Sequence, residues 1–150
     1  MTSWREFEPA LAEVLPKLPD GARLVISGSS GLVQFIRDAA ELVVEVSNES
    51  SEDQPRLTDR GWVMIDSWSG IWRRTFPHPA TGDDAGTVVA ETGYVLKVVF
   101  GWTGLADHTY ASWREVSKSF LGLFSRTEEK PLSWPSLGLA RTREDGPIND

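Results

Sequence analysis

The chain has 150 residues, no cysteine, 40% hydrophobic and 10% aromatic residues, and a formal charge of −7 from 15 Lys+Arg against 22 Asp+Glu. That length fits one domain, or one domain with a tail, and that composition excludes a largely disordered protein. The missing cysteines exclude disulfides, thiol catalysis and thiolate metal sites, the acidic balance argues against binding to nucleic acid, and no apolar run approaches the roughly 20 residues of a membrane span.

The first element reads as a helix. Trp4, Phe7, Leu11, Val14, Leu15 and Leu18 recur at three- and four-residue spacing, which places them on one helical face. Ser3-Trp4-Arg5-Glu6 has the form of a capping box. Pro9 lacks an N–H and predicts either a kink or a helix that starts there. Pro16 and Pro19 end the element, and Asp20-Gly21 turns the chain.

Residues 23–27, 32–37 and 41–47 read as three strands. In the third, Leu42, Val44 and Val46 alternate with Glu41, Val43 and Glu45, the period of a half-buried strand. The connections 28–31 and 38–40 have hairpin length, so an antiparallel meander is expected. Residues 48–56 are a polar loop, and 57–62 fit one helical turn. Residues 63–66 and 71–76 read as two more strands joined through Ser67-Trp68-Ser69-Gly70, with Pro77 and Pro79 breaking the chain after them.

Residues 83–100 carry two readings. Val88, Thr92, Val95, Leu96 and Val99 fit one helical face, with Asp83 or Asp84 as N-cap and Gly101 just past the end. Residues 94–100 also suit a strand, being β-branched and aromatic. The caps and the length favour the helix. Ser112-Trp113-Arg114-Glu115 is a second capping-box match and predicts a C-terminal helix over 113–129, with Trp113, Val116, Phe120, Leu123 and Phe124 on one face. From Lys130 prolines and glycines punctuate a tail. Trp134, Leu137 and Leu139 are positioned to dock its first part, and the last ten residues are expected to fray.

The pattern holds little catalytic chemistry. His78 and His108 are the only histidines and read as surface or loop residues, and no G-x-S-x-G elbow is present. His78, Asp83 and Asp84 do not match a metal-ligand spacing. Gly28-Ser29-Ser30-Gly31 is followed by a strand pattern, whereas a phosphate loop needs a helix N-terminus. No enzyme, metal or cofactor is expected.

The seven tryptophans are the unusual feature. Most belong to a core, since large aromatics supply much of a small domain's burial. Yet Trp62, Trp68 and Trp72 crowd into eleven residues, and a tryptophan left at a surface anchors partners well. Arg73-Arg74 would point to opposite faces of a strand, one to form an ion pair and one to stack on an aromatic ring. The candidate peptide contacts are therefore Trp68, Trp72, Arg74 and Phe76. For self-association, the alternative, the candidates are Trp113, Phe120 and Phe124 on the C-terminal helix.

The order of these words is similar to a known family. L-P-x-G-A-x-L-V at 18–25, Val33-Gln34-Phe35 and Glu45-Val46-Ser47-Asn48 resemble the actinobacterial TY-Chap domains, relatives of YbjN and of type III secretion chaperones. Leu57 with Arg60-Gly61-Trp62, then Ile71-Trp72-Arg73-Arg74 with Phe76-Pro77, then Gly101, Leu105, Tyr110, Trp113 and Arg114 continue the likeness. The helix before Gly61-Trp62 is short here, and Val63-Met64-Ile65-Asp66 replaces the usual Pro-rich stretch. The resemblance implies an α+β fold over residues 1–114: an N-terminal helix, a twisted antiparallel sheet of about five strands and a long helix packed on it. Residues 115–150 would add the C-terminal helix and tail. It also implies a non-catalytic, cytoplasmic, secretion-chaperone-like adaptor. The partner would be a protein or peptide, not nucleic acid or membrane, and a homodimer is the alternative arrangement.

Overall fold

The computed structural model describes residues 3–28, 31–47, 54–66, 70–120 and 124–141, with side chains at all of these except 54, 66, 116–120 and 124–128. Helix α1 spans Trp4–Val14. The Ser3 hydroxyl accepts from the Glu6 N–H at 3.3 Å, so Ser3 caps the helix, and the helix runs through Pro9 without ending. Phe7, Leu11 and Val14 are buried, and a 3-10 turn at Leu15–Lys17 closes the element.

Strands β1 (Ala22–Gly28), β2 (Gly31–Asp38) and β3 (Glu41–Ser47) form the expected antiparallel meander, with Leu24 opposite Phe35 and Phe35 opposite Val44. Their buried set alternates as a strand period requires: Ala22, Leu24 and Ile26, then Val33 and Phe35, then Leu42, Val44 and Val46. A short helix α2 (Gln54–Asp59) leads to the hairpin of β4 (Val63–Asp66) and β5 (Ile71–Pro77), and β5 joins the sheet beside β3.

Helix α3 (Gly82–Tyr94) continues as a π-helical segment, Val95–Val99, so the helical reading of this stretch holds. Val95, Leu96 and Val99 are buried together, which one helical face explains and a strand alternation does not. The N-cap is Thr81, not Asp83 or Asp84. Its hydroxyl accepts from the Asp84 N–H at 3.2 Å, and the two acids occupy the first turn, where the helix dipole favours them. Gly101 takes φ +75° just past the end.

The C-terminal helix is not there. Residues 109–120 and 124–131 are instead two antiparallel strands, β6 (Thr109–Phe120) and β7 (Phe124–Pro131). β6 pairs with β1 from Ser27–Thr109 to Ala22–Arg114. Ser112 caps nothing. Its hydroxyl donates to the Arg23 carbonyl at 2.6 Å and accepts from the Trp134 indole at 2.9 Å, inside the sheet. The edge of β1, far away in sequence, holds only 109–114, while 113–120 pair with 124–131; helical spacing of the apolar residues reports neither partner. The count of about five strands is corrected with it. Among the described residues the sheet has eight strands, seven in the order β4-β5-β3-β2-β1-β6-β7 and the short β8 (Ala140–Arg141) parallel to β6.

α1 and α3 pack side by side on one face of this sheet, and the core lies between them and it. The first part of the tail docks as expected. Leu137 is buried, Leu139 packs on the core, and the Trp134 N–H donates to the Tyr110 hydroxyl at 2.8 Å. The frayed terminus falls on residues outside the described ones, apart from Arg141. Among the described residues no helix is long and apolar enough to cross a membrane.

Candidate functional site

β5 sends Trp72, Arg74 and Phe76 toward the helices and Ile71, Arg73 and Thr75 the other way, as a period of two requires. β3 flanks β5 along its whole length, but β4 pairs with it only from Ile71 to Arg73. From Arg74 to Pro77 the outer edge of β5 has no strand beside it among the described residues. α3 lies next to that edge. Two adjoining clefts run between them and share Phe76 and Thr87. One, about 310 Å³, lies between residues 76–79 and the first half of α3, with Val88 in its wall. The other, about 500 Å³, is bounded by Arg60, Arg74, Asp83, Gly86 and Glu91. Gly86 keeps the helix surface low here: a Cβ at this position would meet nothing within 4 Å.

Glu91 organises the second cleft. Its carboxylate accepts from Arg60 at 3.0 and 2.6 Å and from the Trp62 indole at 3.0 Å, and Arg74 lies 3.2 Å away. Burial pushes its pKa up, but the Arg60 and Trp62 donors and the charges of both arginines outweigh that and hold it below the usual carboxylate value. Arg60 lies over the Tyr94 ring at 3.8 Å. Arg74 donates to the Arg60 carbonyl at 2.8 Å and sits over the Phe76 ring at 4.8 Å, so the expected stacking of one arginine is found. Arg73, on the other face, makes the expected ion pair with Glu45. The charges thus form a gradient. Two arginines against one glutamate leave a net positive end, while Asp83 and Asp84, with no ion pair among the described residues, make the other end negative.

The sequence candidates part company here. Arg74 is one-third exposed and walls the cleft; Phe76 is only 8% exposed, but its ring lines both cavities. Trp72, at 4%, belongs to the core beneath them. Trp68 lies outside the described residues. Trp113, Phe120 and Phe124 do not share a helical face. Trp113 is half-buried in β6, and Phe120 and Phe124 are backbone partners at the end of the β6–β7 hairpin. Arg60, Thr87 and Glu91 were missed as site residues. Arg60 and Glu91 are far apart in the chain, and no local pattern links them.

Both histidines lie in loops, as expected. His78 lines the smaller cleft, with its Nε2 3.4 Å from the Pro16 carbonyl. Burial, and less strongly the charge of Arg37, push its pKa down against the pull of that contact. His108 is a loop residue but not a surface one. Its ring lies 4.5 Å from that of Trp102, and a Cβ on Gly28 would collide with it at 2.8 Å. Its Nδ1 is 3.0 Å from an Asp107 oxygen, and its Nε2 has no partner among the described residues. Among the described residues no cluster of His, Asp and Glu could hold a metal ion.

Comparison with known proteins gives one match. The family model TY-Chap3, described as T3SS (YopN, CesT) and YbjN peptide-binding chaperone 3, matches residues 1–117. No curated protein and no solved structure matches the chain. The matched region runs from α1 through most of β6, so it contains the whole β5–α3 cleft.

Proposed function

We propose that this chain, which belongs to the TY-Chap3 family of peptide-binding chaperones, is a non-catalytic adaptor that holds an extended peptide in the cleft between β5 and α3. One observation carries this reading: the unpaired edge of β5 at Arg74–Pro77 lies directly beside a cleft walled by a helix. A peptide laid along that edge gains backbone hydrogen bonds, and alternate side chains point into the cavities. The open edge is four residues long, about 13 Å. An apolar side chain fits the end with Phe76 and Val88. An acidic one suits Arg74, and a basic one suits Asp83 and Asp84. Nothing in this task needs a cofactor, and the same reading places the protein in the cytoplasm.

The test is selection of binders from a random decapeptide library, followed by fluorescence anisotropy with a selected, labelled peptide. Gly86→Trp, at a position where a Cβ meets nothing within 4 Å, would project an indole into the cleft from the helix side. It should weaken binding at least tenfold, with the thermal transition retained. A library that yields no binder, or binders indifferent to Gly86→Trp, would remove the proposal.

A further inference from the structure

The start of β6 has two edges. One holds β1 from Thr109 to Arg114. β7 takes the other only from Trp113 onward, so over Thr109–Ser112 that edge is left for another segment. The chain fills it with its own tail. The Leu132 N–H donates to the Ser112 carbonyl at 2.9 Å, and Ala140 and Arg141 lie opposite Thr109 and Tyr110 in the one parallel pairing among the described residues. Between these two points the tail folds over a groove bounded by β6 and α1. Its 3-10 turn, Pro135–Leu137, adjoins α1, and Leu137 is 1% exposed. Trp134 makes two hydrogen bonds. Its backbone N–H donates to the Tyr110 hydroxyl at 2.8 Å, and its indole donates to the Ser112 hydroxyl at 2.9 Å. Tyr110 and Ser112 are both buried.

This strap does what a bound peptide does: it adds a strand to an edge and seats side chains in the adjoining groove. Its hold is light. The pairing with β6 covers two residues, and Pro131 and Pro135 have no N–H to donate. No salt bridge ties residues 131–141 to the domain among the described residues. The Arg141 Nε is buried with no partner among the described residues, a cost of docking that release removes. The strap also lies beyond residues 1–117, the part of the chain that matches the family. We propose that the α1–β6 groove is a second peptide-binding site. The strap occupies it in the free chain, and it opens to a partner segment built like the strap: uncharged, with tryptophan followed three positions later by leucine.

The groove selects that chemistry. Residues 131–140 carry no charge, and Leu137 belongs to the main core cluster, so a charged side chain in its place would be buried unpaired. The Ser112 hydroxyl gives its proton to the Arg23 carbonyl, so toward the groove it only accepts. An indole N–H satisfies it, and a phenyl ring does not. A strap on a short link competes at an effective concentration on the order of millimolar, so only an abundant or better-fitting segment displaces it. Three strands lie between β5 and β6, which keeps this groove apart from the β5–α3 cleft.

The probe is a fluorescein-labelled peptide with the sequence of residues 131–141, read by anisotropy against the full chain. The full chain carrying Leu137→Asp, whose own strap is loosened, should bind it at least tenfold more tightly than wild type does. The same peptide carrying Leu137→Asp should bind neither chain. Gly86→Trp, added to the loosened chain, tells the two sites apart, and the affinity should hold. Hydrogen exchange on the wild-type chain needs no variant to fold. The Leu132, Trp134 and Gly138 amides should exchange at least tenfold faster than those of β1, and excess unlabelled peptide should speed them further. A folded Leu137→Asp chain that ignores the peptide, binding abolished by Gly86→Trp, or strap amides that exchange in step with β1 would each overturn the proposal.

Discussion

The two faces of the sheet are built from neighbouring residues and bear different loads. Along β5, Trp72 is sealed beneath the helices while Ile71, one residue earlier, looks out from the uncovered side. Along β3, Leu42, Val44 and Val46 are fully buried while Val43 between them is not. Composition alone would rank all of these as core. What separates them is the side on which α1 and α3 lie. One face spends its apolar surface on folding, and the other keeps its apolar surface available.

The largest test of that contrast is a pair of adjacent truncations. Trp72→Ala removes a buried indole from a packed core and should cost about 3–5 kcal/mol. Ile71→Ala, on the open side and half-exposed, should cost less than about 1.5 kcal/mol. Urea denaturation measures both. Equal losses would mean that the uncovered face is covered by something within the monomer.

A middle-sized effect is expected at Glu91, where the covered side meets the cleft. Glu91→Gln keeps the shape but removes the charge that Arg60, Arg74 and the Trp62 indole share. We expect a loss of about 1–3 kcal/mol, because a half-buried donor set loses its best acceptor. It should also weaken the grip on Arg74. Peptide binding in the cleft should therefore change more than the melting transition does. A variant as stable as wild type with unaltered binding would show the cluster to be mere surface pairing.

Much of the covered face was readable from local pattern. The alternation through Leu42, Val44 and Val46, the hairpin lengths and the Ser3 cap each depend on residues close in sequence. The 83–100 helix depended on its two ends, Thr81 being a cap one might swap for Asp83 without changing the element. The failure at 113–129 has a different origin. Trp113, Phe120 and Phe124 satisfy helical spacing by coincidence; residues 113–120 instead pair with 124–131 as a hairpin, which is anchored to the sheet by the distant edge of β1 at 109–114. The site was half legible for the same reason. Arg74 and Phe76 are marked by strand alternation, but the opposite wall, Gly86, Thr87 and Glu91, comes from an element whose position the local pattern does not contain. The burial of Trp72 was not legible, because aromatic crowding does not say which face a helix will cover.

The smallest expected effect concerns pH and the histidines at two margins of the covered face. The His108 pKa is held below the usual imidazole value because burial beside Trp102 and Gly28 disfavours its charged form more than Asp107 favours it. His78 is lowered mainly by burial too. In the unfolded chain both titrate near 6.5. As pH falls below that value the unfolded state takes up protons that the folded state does not, so stability is complete above about pH 6.5 and declines with acidification toward the folded pKa values. Glu91 acts lower, since its contribution is intact above the unfolded value of 4.5 and is lost only below it. A melting transition followed from pH 7.5 to 5.5 therefore reads chiefly the histidines. His108→Phe keeps a ring against Trp102 and removes the titration, so it should flatten the pH dependence, and His78→Asn should flatten the remainder. If His108→Phe melts with the same pH dependence as wild type, the acid sensitivity belongs to the cleft and His78, and the loop under Gly28 is simply packed.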